Sequence, residues 1–300
     1  MTAVSAAERT EDLPAPDAEA GANALSIDVE DYFHVSAFAR HIDRSDWDAQ
    51  PQHLQASMDV VLNLLAEQGA HATFFVLGWV AERYPALIRT IVSAGHEVSS
   101  HGYDHHRVGE QTPDAFAADV RRTRALLEDI AGVAVKGYRA ASFSISENTF
   151  WAFDKLAEAG YTYSSSIYPI RHDHYGIPDA PRFAFRPRGK SGILEIPITT
   201  TALFGRNLPC GGGGYFRLAP YGLSRWALRR VSEGEGRACV FYFHPWEVDQ
   251  RQPRPAGLPW KTRFRHYTNI SRMEARLRRL LADFRWNRMD RVFHHELDGT

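Results

Sequence analysis

Seven short apolar runs, separated by segments with helical periodicity, constrain the fold of this chain most strongly. Each run has the length of a buried strand, and the seven lie at residues 24–27, 72–77, 97–99, 135–138, 161–165, 193–198 and 238–243. Strands that alternate with helices form parallel sheets, and seven such units are close to the number that closes a barrel. The sequence therefore predicts a single-domain α/β fold, a distorted (β/α)7 barrel.

The segments between the runs carry helix and loop signals. Apolar periodicity, N-cap residues and glycine stops predict helices at 53–68, about 112–130, 148–159, 221–231 and 270–284. Two segments rich in glycine, proline and aromatic residues, 168–187 and 205–217, are predicted to be long loops that wall a substrate groove.

The composition excludes some classes of function. Lys and Arg number 35 against 36 Asp and Glu, so we expect no nucleic-acid partner, which would require a concentrated basic face. No apolar run reaches the roughly 18 residues that span a bilayer, so we expect no transmembrane segment. Residues 1–22 lack the basic start and apolar core of a secretory signal, which predicts a disordered tail and a cytoplasmic location.

Two histidines follow the third run at a spacing that suits a metal site. In VSSHGYDHH, His101 and His105 are four residues apart and can reach one divalent cation from the same side. Gly102 and Tyr103 between them favour a loop over the helical HExxH of metalloproteases. The spacing alone is a weak signal because the chain has 14 histidines.

Three carboxylates end the first run. In LSIDVEDYF, Asp28, Glu30 and Asp31 repel one another unless a cation or an arginine offsets their charge. One of them, with the two histidines, would complete a two-histidine, one-carboxylate zinc site that leaves a position for water. The alternative interpretation is a solvated turn or helix start.

Two further candidates follow other runs. Arg139 comes directly after the fourth run, where an arginine would orient a catalytic carboxylate and lower its pKa. His244 comes after the seventh run and could protonate a leaving amine, because a histidine pKa lies near neutrality. The alternatives are a surface salt bridge for Arg139 and a core position for His244.

These motifs together resemble the polysaccharide deacetylases of carbohydrate esterase family four, the NodB-homology type. The nearest resemblance is to the branch found with bacterial exopolysaccharide clusters and exosortase systems. It covers about residues 25–246, and the HPWEVD and HYTN segments of residues 247–300 resemble that branch's own C-terminal extension. The resemblance implies a deacetylase barrel over residues 23–246 and an extension, residues 247–300, packed on it.

The resemblance also implies roles for the carboxylates and the histidine pair. The family's first motif is a Thr-Phe-Asp-Asp-Gly strand end, in which the first Asp is the base and the second binds metal. SIDVEDY stands in its place, so Asp28 is the preferred base with Glu30 or Asp31 on the metal, while Glu30 and Asp31 as the adjacent pair form the other register. His101 and His105 match the second motif and supply the remaining metal ligands.

The later motifs imply the rest of the site. Arg139-Ala140-Ala141 matches the third motif, Arg-x-Pro, without its proline, which implies that the N–H of Ser142 contributes to the oxyanion hole. In the fourth motif, Ser164 stands where the branch often has the Asp that braces this arginine. The fifth motif, Leu-x-His, makes His244 the acid, and the aromatic side chains expected to contact sugar rings are Phe143, Tyr103 and Trp246.

The activity implied by the resemblance is metal-dependent amide hydrolysis. The enzyme would remove N-acetyl groups from N-acetylhexosamine units of a polysaccharide or its precursor and release acetate. Its cofactor would be Zn²⁺ or another divalent cation, and its partner an N-acetylated polysaccharide or oligosaccharide. The alternatives are a metal-free amide hydrolase of the same fold and a non-catalytic carbohydrate-binding relative.

Overall fold

The computed structural model describes residues 22–189 and 192–298. The predicted tail, residues 1–22, therefore lies outside the described residues except for its last residue. The strands are β1 (Asn23–Val29), β2 (Thr73–Val76), β3 (Glu97–Ser100), β4 (Gly137–Tyr138), β5 (Tyr163–Ser164), β6 (Leu194–Glu195), β7 (Thr200–Leu203), β8 (Arg206–Pro209), β9 (Val240–Phe243) and β10 (Trp286–Asn287).

One curled parallel sheet organises the molecule. Its strands follow the order β9-β1-β2-β3-β4-β5-β6, and every neighbouring pair is parallel. Backbone hydrogen bonds from Thr199 to Val240 (3.3 Å) and from Tyr242 to Gly211 (2.8 Å) curl the far side back onto β9. The predicted barrel-like α/β fold is confirmed, since these seven strands include the core of every predicted run.

Helices cover the outside of this sheet and connect its strands. They are α1 (Leu54–Glu67), α2 (Gly78–Arg83), α3 (Pro85–Ser93), α4 (Pro113–Ala131), α5 (Trp151–Glu158), α6 (Gly213–Leu218), α7 (Tyr221–Arg229), α8 (Trp260–Tyr267), α9 (Ile270–Asp283), α10 (Met289–Val292) and α11 (His294–Asp298). Among the described residues, no helix is both long enough and apolar enough to cross a membrane.

The prediction of a long loop at residues 205–217 is wrong. That segment contains β8, which pairs with β7 as an antiparallel hairpin, and most of the short helix α6. The hairpin is only four residues deep on each side, and β8 alternates exposed and half-buried side chains instead of forming an apolar run. Such a strand lacks the hydrophobic run that marks a buried strand in a sequence.

The C-terminal segment returns to the sheet. β10 pairs with the start of β1, with Trp286 opposite Asn23. The helix that follows is attached by the N–H of Met289, which donates to the Thr73 hydroxyl at 2.8 Å. The extension predicted at residues 247–300 thus adds a strand to the same sheet, next to the first strand of the barrel.

Candidate active site and metal centre

The register of the parallel strands brings the candidate residues together. Ile27 of β1 lies opposite Phe243 of β9, so Asp28 and His244 follow at the same end of adjacent strands. Ser100 pairs with Tyr138, and the Arg139 N–H donates to the Ser100 carbonyl at 2.9 Å, so His101 and Arg139 are neighbours as well. The C-terminal ends of four strands therefore converge on one site, as is usual for barrels of this class.

Glu30, His101 and His105 form a buried three-residue cluster. The Oε1 atom of Glu30 lies 2.9 Å from His101 Nε2 and 3.1 Å from His105 Nε2. Burial alone would raise the pKa of Glu30, but the charge of His105 and the hydrogen bonds from both histidines outweigh it and hold that pKa well below its usual value. The potential ligand atoms of Glu30, His101 and His105 lie within 4.8 Å of one another, close enough for one cation.

Hydrogen bonding of the second imidazole nitrogen supports a metal site. His101 Nδ1 lies 2.8 Å from the Arg139 carbonyl oxygen, which can only accept, so Nδ1 carries the hydrogen. In the neutral ring, the Nε2 lone pair then points at the Glu30 carboxylate. Two facing acceptors need a shared proton or a cation between them. A histidine that binds a metal through one ring nitrogen usually donates its other N–H to a carbonyl or carboxylate, as His101 does here. The residues present therefore fit a divalent cation.

Asp31 has a different place. Its Oδ2 accepts the N–H groups of His53 (2.6 Å) and Leu54 (2.8 Å), at the start of α1, and its Oδ1 accepts the N–H of Tyr32 at 2.8 Å. Three backbone donors engage this carboxylate, as in helix capping. Asp31 does not belong to the cluster of potential metal ligands among the described residues. Of the three carboxylates, Asp28 and Glu30 belong to groups of neighbouring potential metal ligands among the described residues, and Asp31 does not.

Asp28 is held by a buried arginine. Its Oδ1 accepts a hydrogen bond from Arg139 Nη1 at 2.5 Å, and both side chains are almost completely buried. The guanidinium also lies over the Phe75 ring, 4.0 Å from its centroid. This pairing fixes the Asp28 carboxylate beside Glu30, with Oδ2 directed to His244 Nε2 at 3.9 Å.

Ser165 accepts hydrogen bonds from Arg139, next to the position where Ser164 replaces the aspartate of the fourth motif. Arg139 Nε donates to the Ser165 carbonyl at 3.0 Å and Nη2 donates to its hydroxyl at 2.9 Å. Glu195 on β6 supplies a nearby carboxylate, and its Oε1 accepts the N–H groups of Ser166 (2.8 Å) and Ile167 (2.7 Å). Sequence reasoning gave no role to either residue. Ser165 lies 26 positions from Arg139, and Glu195 lies in another strand, 31 positions from the missing Asp.

His244 is oriented by a carboxylate three residues later. Its Nδ1 lies 3.0 Å from Glu247 Oε1, and the other oxygen of Glu247 accepts from Arg217 Nε at 2.6 Å. Burial alone would lower the pKa of His244, but the Glu247 hydrogen bond and the charges of Glu247, Glu30 and Asp28 raise it to about 9. Burial raises and Arg217 lowers the pKa of Glu247, which falls to about 2. The imidazole is thus held as a charged donor with Nε2 directed toward Asp28.

Sequence reasoning also missed Glu247 and Arg217. The available signal was local, since a Glu three residues after a histidine at a strand end completes a capping box, which the structure contains. Arg217 had no such signal. Its guanidinium is fixed by the carbonyls of His266 and Thr268, both at 2.8 Å, from a segment about 50 residues away.

Ser142 and Phe143 form a turn of unusual backbone geometry. Their φ angles are 52° and 49°, in the left-handed region that non-glycine residues rarely adopt. The N–H groups of Phe143 and Ser144 donate to the carbonyls of Ala140 and Ala141, whereas no carbonyl acceptor for the Ser142 N–H occurs among the described residues. Strained backbone with a donor available for another partner is typical of functional turns.

The three predicted aromatic contacts lie in different surroundings. Phe143 packs on Tyr242, with ring centroids 4.8 Å apart, beside Arg139. Trp246 is buried and stacked against His244, 5.1 Å between centroids. The Tyr103 ring lies outside the cluster, with its hydroxyl donating to Glu82 at 2.6 Å. The structure therefore brings Phe143 and Trp246 to the site but not the ring of Tyr103.

Comparisons with known proteins match two consecutive parts of this chain. Residues 46–164 match the family model described as polysaccharide deacetylase, and residues 165–294 match a model described as a domain of unknown function, DUF3473. The histidine pair and Arg139 fall in the first match and His244 in the second. Asp28 and Glu30 precede both.

Curated relatives share shorter stretches. The chain is 31% identical over 96 residues to a peptidoglycan-N-acetylglucosamine deacetylase of Bacillus cereus, covering 32% of this chain and 35% of that protein. It is 51% identical over 45 residues to a chitooligosaccharide deacetylase of Sinorhizobium fredii, covering 15% and 21%. The matches thus span about a third or less of these relatives.

A solved structure has the same fold over nearly the whole chain. It is a crystal structure of a Mycobacterium smegmatis protein assigned as a polysaccharide deacetylase, with a TM-score of 0.60. The alignment covers 94% of this chain and 92% of that one, at 20% sequence identity. At this identity the likeness shows a shared fold, including the segment beyond residue 164.

Proposed function

Since the chain belongs to the polysaccharide deacetylase family, we propose that it removes N-acetyl groups from N-acetylhexosamine units of a polysaccharide or its precursor, with a divalent cation such as Zn²⁺ as cofactor. One observation carries this proposal. The Asp28–Arg139 pair and His244 flank the Glu30–His101–His105 cluster at one end of the sheet. A base, an acid and a set of metal ligands within one buried site are the requirements of metal-assisted amide hydrolysis.

Glu30, His101 and His105 would hold the cation, two of them as neutral imidazoles and one as a carboxylate. A divalent cation bound there would polarise the acetyl carbonyl and lower the pKa of water into the neutral range. The buried surroundings of these ligands would strengthen that polarisation, because charge interactions grow as the local dielectric constant falls.

The chain's own groups would move the protons. Asp28, oriented by Arg139, would accept a proton from the attacking water as the water oxygen forms a bond to the acetyl carbon. The N–H of Ser142 would donate a hydrogen bond to the oxyanion of the tetrahedral intermediate. His244, held by Glu247, would give its proton to the sugar nitrogen as the C–N bond breaks. The products are acetate and a free amino sugar.

Acetate release from N-acetylglucosamine oligomers is the direct test. Purified protein loaded with Zn²⁺ should release acetate, and a chelator should abolish the release. His101→Ala should lose both metal and activity, whereas His244→Ala should keep metal and lose most activity. If the His244→Ala protein released acetate at the rate of the parent, His244 would not be the acid.

The same assay distinguishes the two alternatives. A metal-free amide hydrolase would retain its rate in chelator, and a carbohydrate-binding relative would bind the oligomers without releasing acetate. A panel that includes O-acetylated glycans shows whether the bond cleaved is an amide or an ester. Release from O-acetyl groups alone would reject an N-deacetylase.

A further inference from the structure

The buried side chain of His266 anchors helix α8 beside Trp246 and His244. His266 stacks on Trp246, with centroids 4.2 Å apart and an interplanar angle of 11°, and Trp246 stacks in turn on His244. His266 Nε2 also lies 2.6 Å from the Gln252 side-chain oxygen. The position of α8 next to the catalytic histidine is therefore fixed.

The opposite side of α8 exposes two large aromatic side chains. Trp260 is 73% exposed and Phe264 is 56% exposed. They are four residues apart, so they lie on the same face of the helix. Lys261 and Arg265, which are also exposed, follow each of them. Adjacent exposed aromatic side chains on a folded surface indicate an interaction site.

The charge around these aromatic residues has one sign. Residues 250–273 contain no Asp or Glu but six cationic side chains, Arg251, Arg254, Lys261, Arg263, Arg265 and Arg272. Among the described residues, Asp249 accepts the backbone N–H of Arg251 at 2.8 Å, and Asp173 lies 3.3 Å from Arg265 in an ion pair that is exposed on both sides. A pair so exposed contributes little to stability, and the six cations outnumber these two carboxylates.

We propose that residues 251–265 form a membrane-docking surface, which binds anionic phospholipid headgroups through its cations and places Trp260 and Phe264 in the bilayer interface. A helix with Trp and Phe beside Lys and Arg on its exposed face has the composition of interfacial helices. Each cation near an anionic membrane adds favourable energy, and the aromatic side chains add apolar burial.

A bilayer explains both the exposed aromatic side chains and the excess of cations on this surface. A soluble polyanion would engage the cations but would leave the Phe264 ring in water. The boundary between headgroups and acyl chains accommodates charge and hydrocarbon together. Because His266 joins α8 to Trp246 and His244, docking would hold the catalytic cluster close to the membrane surface.

Vesicle co-sedimentation of the full chain tests the proposal. We expect binding to vesicles of equal parts phosphatidylcholine and phosphatidylglycerol, little binding to phosphatidylcholine alone, and release at high salt. A Trp260→Ser/Phe264→Ser variant and a Lys261→Gln/Arg263→Gln variant should each bind about tenfold more weakly or worse. The tryptophan emission of the parent should shift to the blue on binding, and that of the Trp260→Ser/Phe264→Ser variant should not.

A matched control uses exposed apolar residues elsewhere. Leu223 and Trp226 on α7 are 54% and 43% exposed, and the Leu223→Ser/Trp226→Ser variant should bind vesicles like the parent. Equal loss in that variant, or no binding by the parent, would overturn the proposal. Binding to heparin without binding to anionic vesicles would overturn it in favour of a soluble polyanion.

Discussion

Glu30 is the residue whose surroundings most strongly favour a bound cation. Its carboxylate is 2% exposed and lies within 3.1 Å of two histidine nitrogens. An ionised carboxylate is buried at a high energetic cost unless it is paired or coordinated. The two imidazoles satisfy it only by carrying protons, whereas one divalent cation would satisfy all three groups at once. The choice among the three N-terminal carboxylates can therefore be tested directly.

Glu30→Gln and Asp31→Ala should separate metal binding from helix capping. We expect Glu30→Gln to lose stoichiometric zinc and activity, because the anionic ligand is removed. Asp31→Ala should retain zinc but lower the free energy of unfolding by about 1–2 kcal/mol, since the backbone N–H groups at the start of α1 lose their acceptor. Metal analysis and denaturant unfolding measure the two effects. Zinc loss in Asp31→Ala with zinc retained in Glu30→Gln would reverse the assignment.

Glu247 should act on catalysis through His244. Glu247→Gln removes the negative charge that holds His244 protonated and oriented, so we expect kcat to fall about 100-fold, within the usual contribution of a general acid. KM and zinc content should stay near those of the parent, since Glu247 is not a metal ligand. Glu233→Gln, at an exposed position, is the control. A Glu247→Gln protein with parental kcat would show that His244 needs no partner.

At the scale of residues, the sequence predicted the candidate site residues better than it predicted the side chains that hold them by hydrogen bonds. His101, His105, Arg139 and His244 were chosen because each follows an apolar run, and parallel strands bring such ends together. The hydrogen-bond partners that fix these side chains come from distant segments. Arg217, for example, donates to Glu247, which in turn orients His244. Long-range pairs of this kind leave no periodic signal in one sequence, so Glu195, Ser165 and Arg217 were found only in the structure.

At the scale of elements, the pairing of β5 with β6 positions Ser165, the residue after β5 to which Arg139 donates two hydrogen bonds. Glu195 is fully buried, and its Oε1 holds the backbone that follows β5, while its Oε2 has no hydrogen-bond partner within the described residues. Burial raises the pKa of Glu195 from 4.5 to about 7, although the Ser164 hydroxyl and two backbone N–H groups act against it. The pairing of these two short strands therefore depends on a carboxyl group that is most stable when protonated.

This group should make stability fall as pH rises. The folded state keeps the Glu195 proton up to about pH 7, whereas the unfolded chain releases it near 4.5. The contribution of Glu195 to the free energy of unfolding is therefore complete below pH 4.5. It is lost as the pH rises from 4.5 to about 7, by at most about 1.4 kcal/mol per pH unit. Relative to Glu195→Gln, whose amide does not titrate, the parent should lose free energy of unfolding across this range. A pH-independent difference between the two proteins would contradict the assignment.

For the whole molecule, the seven predicted strands are all present in the sheet, but the prediction missed β10, which pairs with the start of β1. The strand-forming runs are buried and rich in branched or aromatic residues, which is a strong sequence signal. β10 is two residues long, and nothing in its composition separates it from a loop. It nevertheless lies beside β1, and the side chains of Trp286 and Met289 are buried against the sheet. The C-terminal extension is thus a structural part of the barrel that carries the site.

Paired tryptophan substitutions test this role of the extension. Trp286 is 6% exposed and its indole N–H donates to the Leu280 carbonyl at 3.1 Å, while Trp260 is 73% exposed. Trp286→Ala should therefore lower the free energy of unfolding by about 3–5 kcal/mol, because it leaves a cavity beside β1. Trp260→Ala should change it by no more than about 0.5 kcal/mol. Denaturant unfolding of both variants measures the difference, and a similar small loss in each would mean that the extension does not support the sheet.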